Sequence, residues 1–434
     1  MDGKMLLGVG RAVISPKVGA ALFGYSPDHY SRSLNDDLTA TAFFFKQNGE
    51  SALMISATVC EINTELCTGI RKELAGEFGI PTERIMICAT HTHSGPNTMG
   101  QFGWGDIDTE YCESIFIPGL REATRAALSS LKPVRVGVGV DKSLVGVNRR
   151  EITSDGQVTL GQNPEGVFDP SMTVVKFVDA SGDCIANIIH YGAHCTGSGQ
   201  NVEITRDWAG VMIDRLEEVS GGITAFFNGP EGDIGPRLSN GLTVGNLGLA
   251  LELGEIAARD AVGIYSSITR LSEPSLAFLS ADTAVPLSPR IPFEEARAGY
   301  EQYKQYRVNS LAARGDHYRR VIESYENGEE ELAFRYFPQM LIRVGEVLFV
   351  GFPYELFAEI GLRIAQGVKD VTVLSLALAN GSDGYFVTED QICRGGYEVD
   401  MFLYGRPQSY LGSSDAYLVG ETLKNINNLM QEGN

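Results

Sequence analysis

Apolar residues along this chain follow two rhythms, short runs with strand character and longer stretches that repeat every three or four positions. Their alternation predicts the architecture. Positions 6–14 read as a strand, and 38–46 with 52–59 as a strand pair joined at Gln47-Asn48-Gly49-Glu50. A helix is expected over 63–78, stopped by Gly79 and Pro81, followed by a strand over 85–90. That order is the signature of a crossover within a sheet containing parallel pairs. Asp108 and Thr109 are placed to cap a helix reaching 131, which Pro118 must kink or divide. Positions 134–140 and 144–147 are expected to pair and to end at Asn148-Arg149-Arg150; 172–178 and 184–189 should form a hairpin around Asp179-Ala180-Ser181-Gly182. Thr205 is the expected cap of a helix carrying Trp208, Met212, Leu216 and Val219 on its apolar face.

Next comes a buried strand over 223–227, running into a tight loop at 228–237 suited to exposing backbone amides. The helix after it should bury Leu247, Leu251, Gly254, Ala258 and Ala261. The segment 293–325 is charged, tyrosine-rich and helical in character, and 329–337 is expected to extend it after a break; it reads as a surface hairpin or a cap over a site. A hairpin over 340–352 turns at Gly345-Glu346. A helix over 356–368, a strand over 371–378 and a closing helix over 414–430 complete the chain. The sum is an α/β fold, a mixed central sheet or sheets with helices on both faces, in one large domain spanning 1–434 with no linker and no internal repeat.

A hydrophobic fraction of 43% across 434 residues is ample for a large core. The net charge of −20 argues against nucleic acid and against adsorption to an anionic membrane surface. No apolar run approaches the length of a transmembrane segment. The start shows no signal-peptide pattern, so a cytoplasmic protein is expected. Seven scattered cysteines without a Cys-x-x-Cys pair read as reduced, mostly buried thiols. Nothing in the chain argues against a homo-oligomer.

Candidate chemistry gathers at histidine. Four of the six histidines fall in two clusters, His91-Thr92-His93-Ser94-Gly95-Pro96 and His190-Tyr191-Gly192-Ala193-His194, and each cluster follows an apolar strand run. Open α/β sheets collect ligands just past strand carboxyl ends, and neutral imidazole is the commonest transition-metal ligand. A metal-hydrolase site with zinc is the working expectation, against the plainer alternative of buried histidines bonded to backbone. The glycine-rich stretch 97–105, with Trp104, would serve as a mobile pocket wall. Adjacent Arg149 and Arg150 are ordinarily a solvated edge, but near a metal one of them could grip a carbonyl or a developing oxyanion. Cys195 beside His194 is a minor candidate as nucleophile or ligand. Asp207 and Asp233 fit capping or backbone organisation better than catalysis.

Longer motifs add a resemblance. Gly8-Val9-Gly10-Arg11-Ala12, Gly24-Tyr25, Ala89 through Pro96, Asn148-Arg149, Ala193-His194-Cys195-Thr196, Arg206-Asp207-Trp208-Ala209-Gly210, Gly232-Asp233-Ile234-Gly235-Pro236, Gly351-Phe352-Pro353-Tyr354-Glu355, and Tyr385 with Tyr397 run through nearly the whole chain. Together they resemble the catalytic domain of the neutral ceramidase family, zinc-dependent amidases that cleave the N-acyl bond of ceramide. The resemblance implies zinc ligands at His91, His194, Glu355 and Tyr385. It also implies substrate-contacting and transition-state groups at His93, Arg149 and Tyr397. Three departures stand out: Gly235 occupies the position of the family's serine in Gly-Asp-x-Ser-Pro, no immunoglobulin-like C-terminal domain follows, and no secretion signal is seen. The expected activity is zinc-dependent, ceramidase-like cleavage of an amide by metal-activated water, on a small-molecule or lipid N-acyl substrate. The alternatives are a zinc hydrolase of another soluble N-acyl or ester compound and an inactive metal-binding homologue.

Overall fold

The computed structural model describes residues 3–432. Its first sheet has the strand order Ile85–Ala89, Glu50–Ala57, Thr39–Gln47, Leu6–Val13 and Lys132–Pro133; the first pair is parallel and the others antiparallel. Asn48 and Gly49 both take positive φ, 52° and 86°, as the hairpin turn joining the second and third of these strands demands. The expected crossover helix is Thr64–Phe78. The Asn63 side chain accepts from the amides of Glu65 and Leu66 at its start, and Gly79 ends it in the left-handed conformation at φ 67°. Gly8 and Gly10 let the helix Ile117–Ser129 lie directly on the sheet, since an added Cβ at Gly8 would sit 1.9 Å from the Ala127 carbonyl oxygen. The expected division of this helix is present: a π-helical stretch, Cys112–Phe116, separates Thr109–Tyr111 from Ile117–Ser129, and Pro118 falls in the first turn of the latter, where its missing N–H costs no helical bond.

The second sheet has the order Ile223–Asn228, Cys184–Tyr191, Ser171–Val178 and Arg135–Lys142. The hairpin around residues 179–182 is present, with a bulge at Phe177/Val178. The expected pairing of 134–140 with 144–147 is not. Ser143 donates its backbone N–H to the Pro170 carbonyl and its hydroxyl to Asp260, which carries the chain across instead of back. Arg135–Lys142 therefore pairs with Ser171–Val178, and Gly146–Ile152 builds a separate sheet with Val158–Asn163 and Ile234–Pro236. The loop after Asn228 is thus partly strand, and the next helix, Leu247–Ser267, begins at the first residue expected in it. That helix buries Ala250, Leu253, Gly254, Ala257, Ala258 and Ala261, while Leu251 is exposed. The contact face is set by Gly254, which lies against the Trp208 carbonyl and Val211 of the neighbouring helix Asp207–Ser220.

A third sheet, ordered Leu276–Pro286, Phe334–Val344, Val347–Gly351 and Thr372–Leu376, contains the Gly345 hairpin. Positions 334–337 extend this sheet and not the helical hairpin, because pairing from Pro286 opposite Phe334 gives their backbone groups partners. The helices Phe293–Tyr303 and Asn309–Glu326 do form the expected hairpin. The inner faces of all three sheets meet in one core that includes Phe43, Met86, Phe177, Phe227, Met340 and Phe349. Helices cover the outer faces. The α/β architecture of mixed sheets with helices is therefore as the pattern predicts, arranged as three larger sheets back to back with smaller sheets beside them. Parallel strands in all three sheets send their carboxyl ends to one region, tied by a parallel bridge from Thr92 to Cys195 and by the pairing of Glu355–Leu356 with Tyr385–Phe386.

Candidate metal centre and its cavity

His91 sits two residues beyond the strand Ile85–Ala89, His194 three beyond Cys184–Tyr191, and Glu355 four beyond Val347–Gly351. All three are buried. Glu355 Oε2 lies 3.3 Å from His91 Nε2 and 3.1 Å from His194 Nε2. The three ligand atoms fall within 4.8 Å of one another. His91 takes a left-handed backbone conformation at φ 68°, a cost of about 1–3 kcal/mol that the surrounding contacts sustain.

The far side of each imidazole fixes its tautomer. His91 Nδ1 is 3.0 Å from the Cys60 carbonyl oxygen, and His194 Nδ1 is 2.9 Å from that of Glu231 and 3.1 Å from that of Ile234. A carbonyl only accepts, so each Nδ1 carries the hydrogen and each Nε2 turns a lone pair inward. Glu355 Oε2 is itself buried without a hydrogen-bond donor among the described residues. Three lone-pair donors facing one point call for a cation; one proton bridges only two of them, whereas a metal ion satisfies all three. The residues present therefore fit a metal centre. The carboxylate form is favoured: burial works against charge on Glu355, yet the two imidazoles beside it, His91 foremost, hold its carboxyl well below the usual range. His194 is pushed down to about 3, by burial first and then by the charges of Arg149 and His91.

Tyr385 stands at the rim, its hydroxyl 3.5 Å from His194 Nε2 and accepting from Arg149 Nη2 at 2.8 Å. His93 Nε2 is 3.2 Å from His91 Nε2, and its other nitrogen is buried without a partner beside Gly24. Gly24 must be glycine, because φ is 120° and an added Cβ would lie 2.3 Å from His93 Nδ1. Burial, then the charges of His91 and His194, keep His93 neutral. Tyr397 packs edge-on against Tyr385 at 5.7 Å, and its phenol is kept protonated mainly by burial. Sequence reasoning missed Glu398. Arg149 Nε donates to one of its oxygens at 2.8 Å and Arg150 Nη1 to the other at 2.7 Å. A bulge between Asn148 and Arg150 lets neighbouring strand residues reach the same carboxylate, so the arginine pair is buried and not a solvated edge.

Other expectations resolve differently. His190 lies within its strand and bonds the Ser375 carbonyl at 2.9 Å, so only His194 of the second cluster reaches the centre. Cys195 is fully buried with its thiol raised far above the ordinary range by desolvation, which removes it as a nucleophile. Asp207 accepts from the amides of Gly197, Ser198 and Trp208 and organises the turn after His194. Thr205 bonds the Asp207 amide, and the helix starts one residue later than a cap at 205 would set it. Asp233 accepts from the Ala358 amide and Asn148. At Gly235 an added Cβ would come within 2.6 Å of Thr243 Cβ and Cγ2, so the chain has closed the space that a serine would occupy.

A cavity of about 360 Å³ opens onto the centre. Its wall includes Gly100, Phe102 and Trp104 from the glycine-rich stretch, as expected, and Asp316 and Arg320 from the helical hairpin. Glu61, overlooked in the sequence between a buried strand and a helix cap, also lines it. No helix among the described residues is long and apolar enough to cross a membrane.

Residues 5–244 match the family described as neutral/alkaline non-lysosomal ceramidase, N-terminal. Neutral ceramidase A of Dictyostelium discoideum is 26% identical over 254 residues, which is 52% of this chain and 35% of that protein. The neutral ceramidase of Pseudomonas aeruginosa is 26% identical over 164 residues, 36% of this chain and 24% of that one. The matches thus span about a third or less of these relatives' length. The crystal structure of neutral ceramidase from Pseudomonas aeruginosa superposes with a TM-score of 0.74 at 20% identity, covering 99% of this chain and 75% of that one, so the fold is shared. On the family match over more than half its length, this chain belongs to the neutral/alkaline non-lysosomal ceramidase family.

Proposed function

We propose that the protein is a zinc-dependent hydrolase of an N-acyl amide bond. The observation that carries this reading is the convergence of His91 Nε2, His194 Nε2 and Glu355 Oε2, with both tautomers fixed by carbonyls, at the floor of an open cavity. Tyr385 completes the ligand set as a fourth, more weakly placed donor. Bound there, zinc would supply a Lewis acid that polarises a carbonyl and brings the pKa of water from about 16 to about 7.

The chain's own residues do the rest. Arg149 keeps a permanent positive charge beside Tyr385 and His194, anchored by Glu398, and stabilises negative charge growing on the carbonyl oxygen. Neutral His93 takes the proton of the attacking water at Nε2 as the carbon–oxygen bond forms. The carbon–nitrogen bond then breaks, and the amine leaves with the proton that His93 took from the water, passed directly or through the Tyr397 hydroxyl, which gives one proton and takes that one back. Gly235 offers no side-chain nucleophile, which suits direct attack by water without an acyl-enzyme.

Ceramide is one substrate to consider, on the family's name. A soluble N-acyl compound is the second reading, favoured by the charged residues Glu61, Asp316, Arg320, Asp383 and Arg406 in the cavity wall, where small-molecule sites are mostly apolar. The test combines elemental analysis with turnover on a panel of short- and long-chain amides including ceramide. His91→Ala is expected to lose zinc and activity together. Arg149→Ala is expected to keep zinc and lose roughly a hundredfold to a thousandfold in rate. Full metal occupancy in the His91 variant overturns the ligand assignment; zinc without turnover of any amide marks an inactive homologue.

A further inference from the structure

Apart from Glu355 of the candidate metal centre, one acid in the cavity wall has no cation in contact with it. Glu61 follows the strand Glu50–Ala57 by four residues and is 8% exposed. It is fixed from both ends: its carbonyl accepts from the Thr98 hydroxyl, and its Oε2 accepts from Ser382 Oγ at 2.5 Å. Glu355 belongs to the candidate metal centre, and the remaining charged residues of the wall neutralise one another. Arg320 pairs with Asp316 at 2.9 Å, and Asp383 pairs with Arg335 at 2.8 Å and Arg406 at 3.6 Å. Among the described residues no lysine, arginine or histidine stands in ion-pair contact with Glu61, whose side-chain hydrogen bond is to the Ser382 hydroxyl.

Buried carboxylates are costly unless paired, so the missing partner is what the cavity asks of its occupant. Ser382 already supplies a neutral donor; what remains unsupplied is positive charge. Phe23, Trp104 and Tyr397 line the same cavity, and aromatic faces favour a cation.

We propose that Glu61 is a specificity-determining residue that receives a protonated amine, so that the preferred substrate is a small N-acyl compound whose amine portion bears a second, cationic nitrogen. The bond that is cut rests on the amide-hydrolase reading above; the binding contact does not.

Three acetamides of matched size test it: N-acetylethylenediamine, N-acetylethanolamine and N-propylacetamide, carrying an ammonium, a hydroxyl and a methyl at the same position. Binding to the zinc-loaded protein is measured by ligand-observed NMR titration, and turnover in parallel. The wild-type protein is expected to bind the ammonium compound at least tenfold more tightly than the methyl compound, with the hydroxyl between. Glu61→Gln keeps an acceptor for Ser382 and is expected to bring that ratio within twofold, chiefly by weakening the ammonium compound. Glu61→Met is the second charge-removing variant if the first melts below the assay temperature. Equal binding by the wild type, or a preference that survives loss of the charge, overturns the proposal. A preference with no turnover of any amide overturns the hydrolase reading and leaves Glu61 standing; turnover of all three without preference does the reverse.

Discussion

At Gly235 a single missing side chain records how this chain differs from the motif it resembles. Thr243 fills the space where a serine's Cβ would lie, at 2.6 Å from both its Cβ and Cγ2. Gly235→Ser is therefore expected to cost about 1–3 kcal/mol from overpacking, read as a fall in the urea midpoint without a change in slope. Combining it with Thr243→Gly should cost less than the two changes summed, because each relieves the other's clash. Strict additivity would mean that the two residues do not compete for space. Residues also carry the deepest divide between what was readable and what was not. His91, His93 and His194 announce themselves by type and by position after apolar runs, whereas Glu61 and Glu398 are ordinary acids until folding sets one in the cavity and the other across Arg149 and Arg150.

Among the elements, the helix Asn309–Glu326 is the one whose role the pattern left open between surface hairpin and cap. It contributes Ala313, Asp316 and Arg320 to the cavity, and it buries His317, whose Nδ1 faces the Arg406 carbonyl. Burial, then the charge of Arg320, push this imidazole from 6.5 down to about 4. The folded protein keeps it neutral while the unfolded chain protonates it near 6.5, so its contribution to stability is complete above that pH and is lost as pH falls from 6.5 to 4. At pH 5 the loss is about 2 kcal/mol, since each tenfold difference in proton affinity between the folded and unfolded chain is worth about 1.36 kcal/mol. Chemical denaturation at pH 7 and pH 5 should show the wild type losing about that much more than His317→Gln. Equal losses would mean that the helix admits the charged ring. Strand pairing was the least legible part at this scale: 134–140 and 144–147 look like partners by composition, and Ser143 with Pro170 and Asp260 decides otherwise.

For the molecule as a whole, three sheets share one core through Phe43, Phe177, Phe227 and Phe349, so none can lose its inner face without opening the others. We propose that the described chain unfolds as a single cooperative domain, seen as one calorimetric endotherm with matching van't Hoff and calorimetric enthalpies. Removing the metal with a chelator should lower the midpoint of that one transition, since an ion at 100 times its Kd adds about 2.7 kcal/mol. Two separated endotherms, or a midpoint indifferent to chelation, would count against the shared core or the metal centre respectively. The net charge of −20 bears on partners and solubility and leaves the fold undecided.

By itself the sequence determined the α/β class, the crossover units and the histidines of a candidate metal centre, because periodicity, turn residues and the rarity of histidine are local properties of a chain. Only the tertiary structure decided that His194 and not His190 joins His91 and Glu355, and that two arginines share Glu398. It also set the helix face that excludes Leu251 and left Glu61 facing the cavity without a cation. Each of these depends on groups tens to hundreds of residues apart meeting within a few ångströms, a distance that no local pattern encodes.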